Sequence, residues 1–134
     1  MTDKLSAWEP RVLSLLRIVA GLLFLEHGMQ KLLGFPASEY AGIALSSLPG
    51  IAGVLELVLG AIILIGLFTR LAAFLASGEM AVGYWMAHAP QNPFPVNNGG
   101  DAAILFCFVF LYIVFRGAGP WSLDAVRARA WAVS

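Results

Sequence analysis

The sequence predicts an all-α protein, a bundle of four transmembrane helices. Three observations carry this. Of the 134 residues 60% are hydrophobic, and the mean hydropathy is +0.82. Only 12% are charged, about half the share usual in a soluble domain, which leaves too little polar surface to solvate a small protein. The apolar residues also fall into four runs, and a membrane span needs about 20 of them. Eight basic and eight acidic side chains sum to zero. That balance lacks both the basic patch that nucleic acid requires and the high net charge typical of disorder.

The first span covers about residues 12–33, behind Pro10, a residue suited to an early helical position. Arg17 interrupts the run and no small-residue cleavage site follows, so the segment reads as a retained span rather than a signal peptide. The second span covers 48–68. The third covers 71–89 and is closed by Pro90. The fourth covers about 99–116, starting in the Gly99-Gly100 segment after Asn97-Asn98, and its apolar part is short. After Ser122, a suitable N-cap, residues 123–133 form a short helix on the membrane surface, where Arg127 and Arg129 meet anionic lipid. The chain reads as one domain, residues 1–134, with no internal repeat.

Basic residues set the orientation. With four spans, both termini and the second loop share a side that holds Lys4, Arg11, Arg70, Arg116, Arg127 and Arg129. The other side holds Lys31. Six against one places both termini in the cytoplasm. Trp8, Trp121 and Trp131 anchor the inner interface and Trp85 the outer one.

Ionisable residues inside spans cost roughly 2.5–3.5 kcal/mol each on insertion scales, so their default reading is functional. Here they are Arg17, Glu26, Glu56 and Glu79, with His27 and His88 toward the outer ends. Helical spacing puts Arg17, Gly21, Phe24, Gly28 and Lys31 on one stripe. Gly53, Glu56 and Gly60 share a second, and Ala72, Ala76, Glu79 and Gly83 a third. Small residues let helices approach closely in a membrane, so each stripe carries its charge into a helix contact. Arg17 and Glu79 are expected to form a structural charge pair. The outer half gathers His27, Gln30, Lys31, Glu56, His88, Gln91, Asn97, Asn98 and Asp101 into a polar cavity. Glu26 falls opposite Arg17, with three readings open: it faces an oligomer partner, snorkels outward or marks a helix distortion.

The lone cysteine, Cys107, lies in an apolar run and reads as a small buried hydrophobe. It allows neither an internal disulfide nor dithiol chemistry. Two histidines alone are a weak signal for haem or a metal site.

The order and spacing of several short motifs resemble the DoxX family of bacterial membrane proteins. These are Arg17-Ile-Val-Ala-Gly21, His27-Gly-Met-Gln-Lys31, Gly53-Val-Leu-Glu56 and Gly66-Leu-Phe-Thr-Arg70, then Asn98-Gly-Gly-Asp101 and Gly117-Ala-Gly-Pro-Trp-Ser-Leu-Asp124. The resemblance covers about residues 11–124. The matching positions are Arg17, His27, Gln30, Lys31, Glu56, Thr69, Arg70 and Trp121, while Asp101 stands where the pattern has glutamate. The resemblance implies a four-helix bundle in the bacterial cytoplasmic membrane and a link to quinone-dependent redox chemistry, in company with partner subunits. More distant relatives are cargo receptors or assembly chaperones, so the fold alone does not fix the function.

The leading expectation is a membrane redox subunit that binds a quinone-like ligand. His27 and Glu56 are its candidate catalytic residues. Gln30, Lys31, His88, Asn98 and Asp101 are candidate ligand-binding residues. No cofactor-attachment motif is present, so electrons come from a partner or from the substrate. Two other readings compete: a small proton-coupled transporter or channel working as a homo-oligomer, and a scaffold or chaperone without its own catalysis.

Overall fold

A computed structural model describes residues 2–39 and 41–132. Among these residues all regular structure is helical. The elements are α1 (Thr2–Ser6), α2 (Glu9–Leu33), α3 (Leu48–Ile65), α4 (Thr69–Gly83), α5 (Pro95–Asn98), α6 (Asp101–Arg116) and α7 (Leu123–Trp131). A π-helical turn, Tyr84–His88, extends α4. Of these, α2 and α3 are each long and apolar enough to cross a membrane. The surface-helix expectation for 123–133 is met over Leu123–Trp131 as a helix, and Val133 lies outside the described residues.

Local chemistry sets the helix ends. Pro10 and Glu9 occupy the first turn of α2, where a missing N–H costs nothing and a carboxylate meets the positive end of the dipole. Gly34 ends the helix in the left-handed conformation, its N–H bonded to the Met29 carbonyl. Ser47 caps α3 by accepting from the Gly50 N–H at 3.1 Å. The expected second span to Phe68 is cut short at Ile65, because Gly66 (φ 73°) turns the chain left-handed. A side chain at Gly66 would also run into Ser122 and the Arg17 guanidinium. With Phe68 at φ 45°, α4 then starts at Thr69 rather than Leu71.

The four longest helices pack in a ring, α2 on α3, α3 on α4, α4 on α6, and α6 back on α2. The ring is apolar outside and mixed inside. Val12, Val19, Leu22, Val58, Phe74, Leu105 and Phe108 are exposed on its outer surface. Its interior holds Ser14, Arg17, Glu56 and Ser77 beside a small core of Phe24, Ile63, Ala73, Ala76, Phe110 and Ile113. Phe24 meets Phe110 edge-on at 4.9 Å and Phe106 at 5.7 Å. Water rewards the reverse distribution, whereas hydrocarbon imposes no penalty on an apolar exterior.

The seam between α2 and α3 is the closest. A Cβ on Gly28 would stand 2.7 Å from the Gly53 carbonyl oxygen and 2.8 Å from Leu57 Cα. One on Gly60 would stand 2.6 Å from the Leu25 nitrogen. Gly21, Gly28 and Gly60 of the stripes on α2 and α3 are thus backbone-to-backbone contacts, whereas nothing lies within 4 Å of a Cβ at Gly83 on the α4 stripe.

Candidate functional site

Arg17 is fully buried. Its expected pairing with Glu79 does not form. Instead Nη1 donates to the carbonyls of Ile63 (2.6 Å) and Leu64 (2.5 Å), Nε donates to Ala118 (2.8 Å), and Nη2 donates to Trp121. The reason is geometric: α3 ends beside Arg17, and the last carbonyls of a helix lack internal partners. A planar guanidinium with several fixed donors meets them better than a distant carboxylate does. The favourable charge acting on Arg17 is that of Asp124, at the start of α7.

Asp124 is a structural residue that sequence reasoning missed. Its two oxygens accept from the Phe68 and Thr69 N–H groups, both at 2.9 Å, and so cap α4 from another helix. Burial works against its carboxylate, but the hydrogen bonds from Thr69 and Phe68 and the nearby Arg127 outweigh it, holding the pKa below its ordinary value. The signal was the Gly117–Asp124 motif, whose Trp121 carbonyl, Ser122 cap and Asp124 carboxylate all serve this junction. Ser14 adds to it by accepting from the Trp121 N–H at 3.2 Å. A cleft of about 530 Å³ lies at this end, lined by Arg70, Arg116 and Asp124 among others. Arg70 donates to the Val114 and Phe115 carbonyls and Arg116 pairs with Glu9, so these charges are engaged in holding helix ends.

The expected single polar cavity at the other end is divided into three places. In the interior, Lys31 Nζ meets Glu56 Oε1 at 2.6 Å. Glu56 is 3% exposed, and its Oε2 has no hydrogen-bond partner. Both oxygens of Glu79 are likewise buried and unpartnered. Glu79 feels the charges of Glu56 and Lys31, and Glu56 feels that of His27. Lys31 reaches this cluster because it closes the α2 stripe that faces α3.

The second place is a cleft of about 330 Å³ between α2 and α6. Leu23, Ala102 and Phe106 form its apolar wall, and Glu26, His27 and Gln30 its polar one. The His27 ring stands edge-on to Phe106 at 6.0 Å. Glu26, whose placement the sequence left open, lines this cleft. It lies opposite Arg17 on α2 because the cleft opens on the outside of the ring.

The third place is the loop after α4. His88 Nδ1 is 3.0 Å from the Asn98 carbonyl oxygen, and the ring stacks on Tyr84. Asn98 is buried, donating to the Asn92 carbonyl at 2.8 Å and accepting from the Gly100 N–H at 2.8 Å. His88 and Asn98 therefore hold a turn and do not join Glu56. Gln91 donates to the Ala87 carbonyl in the same loop. Asp101 is exposed in the first turn of α6, next to Ala102 of the cleft. Cys107 is half-buried rather than buried, and Ser77 of α4 donates to its carbonyl at 2.8 Å. Among the described residues no group of three or more His, Cys, Asp or Glu side chains is placed to hold a metal ion.

Comparison with known proteins agrees with the apolar exterior. The family model described as DoxX matches residues 12–89. A Haemophilus influenzae protein described as uncharacterized is 42% identical over 127 residues, covering 91% of this chain and 95% of the relative. A Mycobacterium tuberculosis protein described as an uncharacterized membrane protein is 32% identical, covering 90% of this chain and 83% of the relative. No solved structure matches the chain significantly. With half its length under the family model and two full-length relatives, the chain belongs to the DoxX family of membrane proteins.

Proposed function

We propose that the chain crosses a bacterial cytoplasmic membrane four times, with both termini inside, and binds a quinone-like redox ligand in the α2–α6 cleft as one subunit of a redox system. The observation that carries this is the build of the cleft. It sets three apolar side chains against Glu26, His27 and Gln30 and opens on the outer face of the ring, where Leu23 is 45% exposed. A ligand dissolved in the bilayer reaches such a cleft sideways. Its tail lies along Leu23 and Phe106, and the His27 ring and the Gln30 amide offer donors to its carbonyl oxygens. His27 lines the cleft, and an imidazole there can exchange a proton with the ligand. Electrons reach the ligand from a partner subunit.

The test is a titration of the purified chain in lipid nanodiscs with a short-chain ubiquinone, followed by quenching of tryptophan fluorescence against empty nanodiscs. Saturable binding is expected. His27→Ala should weaken it at least tenfold, about 1.4 kcal/mol, and Ala102→Trp, which fills the cleft, should abolish it. Binding that both variants leave unchanged overturns the reading. The transporter reading draws on the buried Glu79 instead, and it predicts solute uptake into proteoliposomes that Ala102→Trp leaves intact.

A further inference from the structure

The interior cluster holds one cation and two carboxyl groups. Lys31 bonds one oxygen of Glu56, while Glu56 Oε2 and both Glu79 oxygens are buried without partners. One ammonium can balance one carboxylate. The charges that act on Glu79 are those of Lys31 on α2 and Glu56 on α3. Its own helix adds the Ser77 hydroxyl, which is turned to the Cys107 carbonyl. Between its terminal Asp101 and Arg116, α6 carries the half-buried Cys107 thiol, while its Tyr112 is 44% exposed. A second ionised carboxylate here would be a buried, uncompensated charge. Buried groups so placed neutralise instead.

We propose that Glu79 is an un-ionised carboxylic acid at neutral pH, and that Lys31, Glu56 and Glu79 together form an internal proton-binding site holding one exchangeable proton. Lys31 and Glu56 form the charged half and Glu79 the neutral half. The proton resides on Glu79 with the α2–α6 cleft empty, so this does not rest on the quinone reading. Glu56 and His27 mark the route by which that proton can reach the cleft.

Infrared spectroscopy of the full-length chain tests this, with the protein purified in an ester-free detergent at pH 7 in H2O and in D2O. The wild type should show the carbonyl stretch of an un-ionised carboxylic acid, shifted in D2O. Glu79→Gln, which places an uncharged isostere there, should remove the band and melt with the wild type. In Lys31→Met, Glu56 loses its counter-ion and should also become un-ionised, so the band should roughly double. This arm holds even where Glu79→Gln fails to fold. A wild type without the band overturns the proposal, as does a band that survives Glu79→Gln or fails to grow in Lys31→Met. A missing band with stability that rises in sodium would place a cation in the site, and also overturns it.

Discussion

Substituting Gly28 by alanine forces α2 away from α3. The new Cβ would lie 2.7 Å from the Gly53 carbonyl oxygen and 2.8 Å from Leu57 Cα, whereas ordinary contact begins near 3.4 Å. Both obstacles are backbone and cannot rotate away, so the seam must open by several tenths of an ångström. A gap of roughly 0.5–1 Å forfeits a quarter to a half of the dispersion attraction across it, and overpacking of this kind costs about 1–3 kcal/mol. Gly78 in α4 is the control, because nothing lies within 4 Å of a Cβ there. Alanine gains about 0.5–1 kcal/mol over glycine in any helix, and the gain is common to both variants. The difference between Gly28→Ala and Gly78→Ala therefore isolates the clash, at about 1–3 kcal/mol. Equilibrium unfolding in detergent micelles, followed by helical circular dichroism, measures it. Two variants equal in stability would refute the backbone-contact account of the seam, and Gly60→Ala should behave as Gly28→Ala does.

Arg17→Leu leaves the Ile63, Leu64, Ala118 and Trp121 carbonyls without their donor and should cost about 1–3 kcal/mol for each carbonyl left buried without a partner, read as loss of folded yield and melting temperature. Arg17→Lys should restore part of that, and a leucine variant as stable as the wild type would contradict the clamp. Asp124→Ala removes the cap of α4 and should cost about 1 kcal/mol at pH 7. Since the folded-state pKa of Asp124 is depressed, the stability it adds is present above about pH 4 and fades as pH falls through the lower folded value. Wild type and variant should converge in strong acid, and a gap that does not change with pH would count against the cap.

Apolar runs, prolines and glycines made the four long helices readable in the sequence to within a few residues, but not the short helices Thr2–Ser6 and Pro95–Asn98. The misjudged border at Phe68 came from treating hydropathy as continuous through Gly66, where backbone conformation decides. The stripes through Gly21, Gly28, Gly53 and Gly60 were readable because a 3.6-residue period fixes which side chains share a face. Partners were not. Arg17 binds main-chain carbonyls, which no pattern of side chains encodes, and the Glu26 cleft depends on how α6 seats against α2. Lys31 and Glu56 each fell on a correctly read stripe, yet their pairing required the register between α2 and α3.

The Arg17 clamp has a consequence for biosynthesis. The guanidinium is made 101 residues before the Ala118 carbonyl that receives it. On the proposed four-span topology, α2 would enter the membrane carrying an arginine that costs roughly 2.5–3.5 kcal/mol on insertion scales. The Ile63 and Leu64 carbonyls relieve part of that when α3 follows, and the Ala118 and Trp121 carbonyls relieve the rest after α6 is complete. The beginning of the chain is therefore made stable by its end. A chain that stops before Ala118 lacks two of the four carbonyls that Arg17 binds, whichever ligand the finished bundle holds.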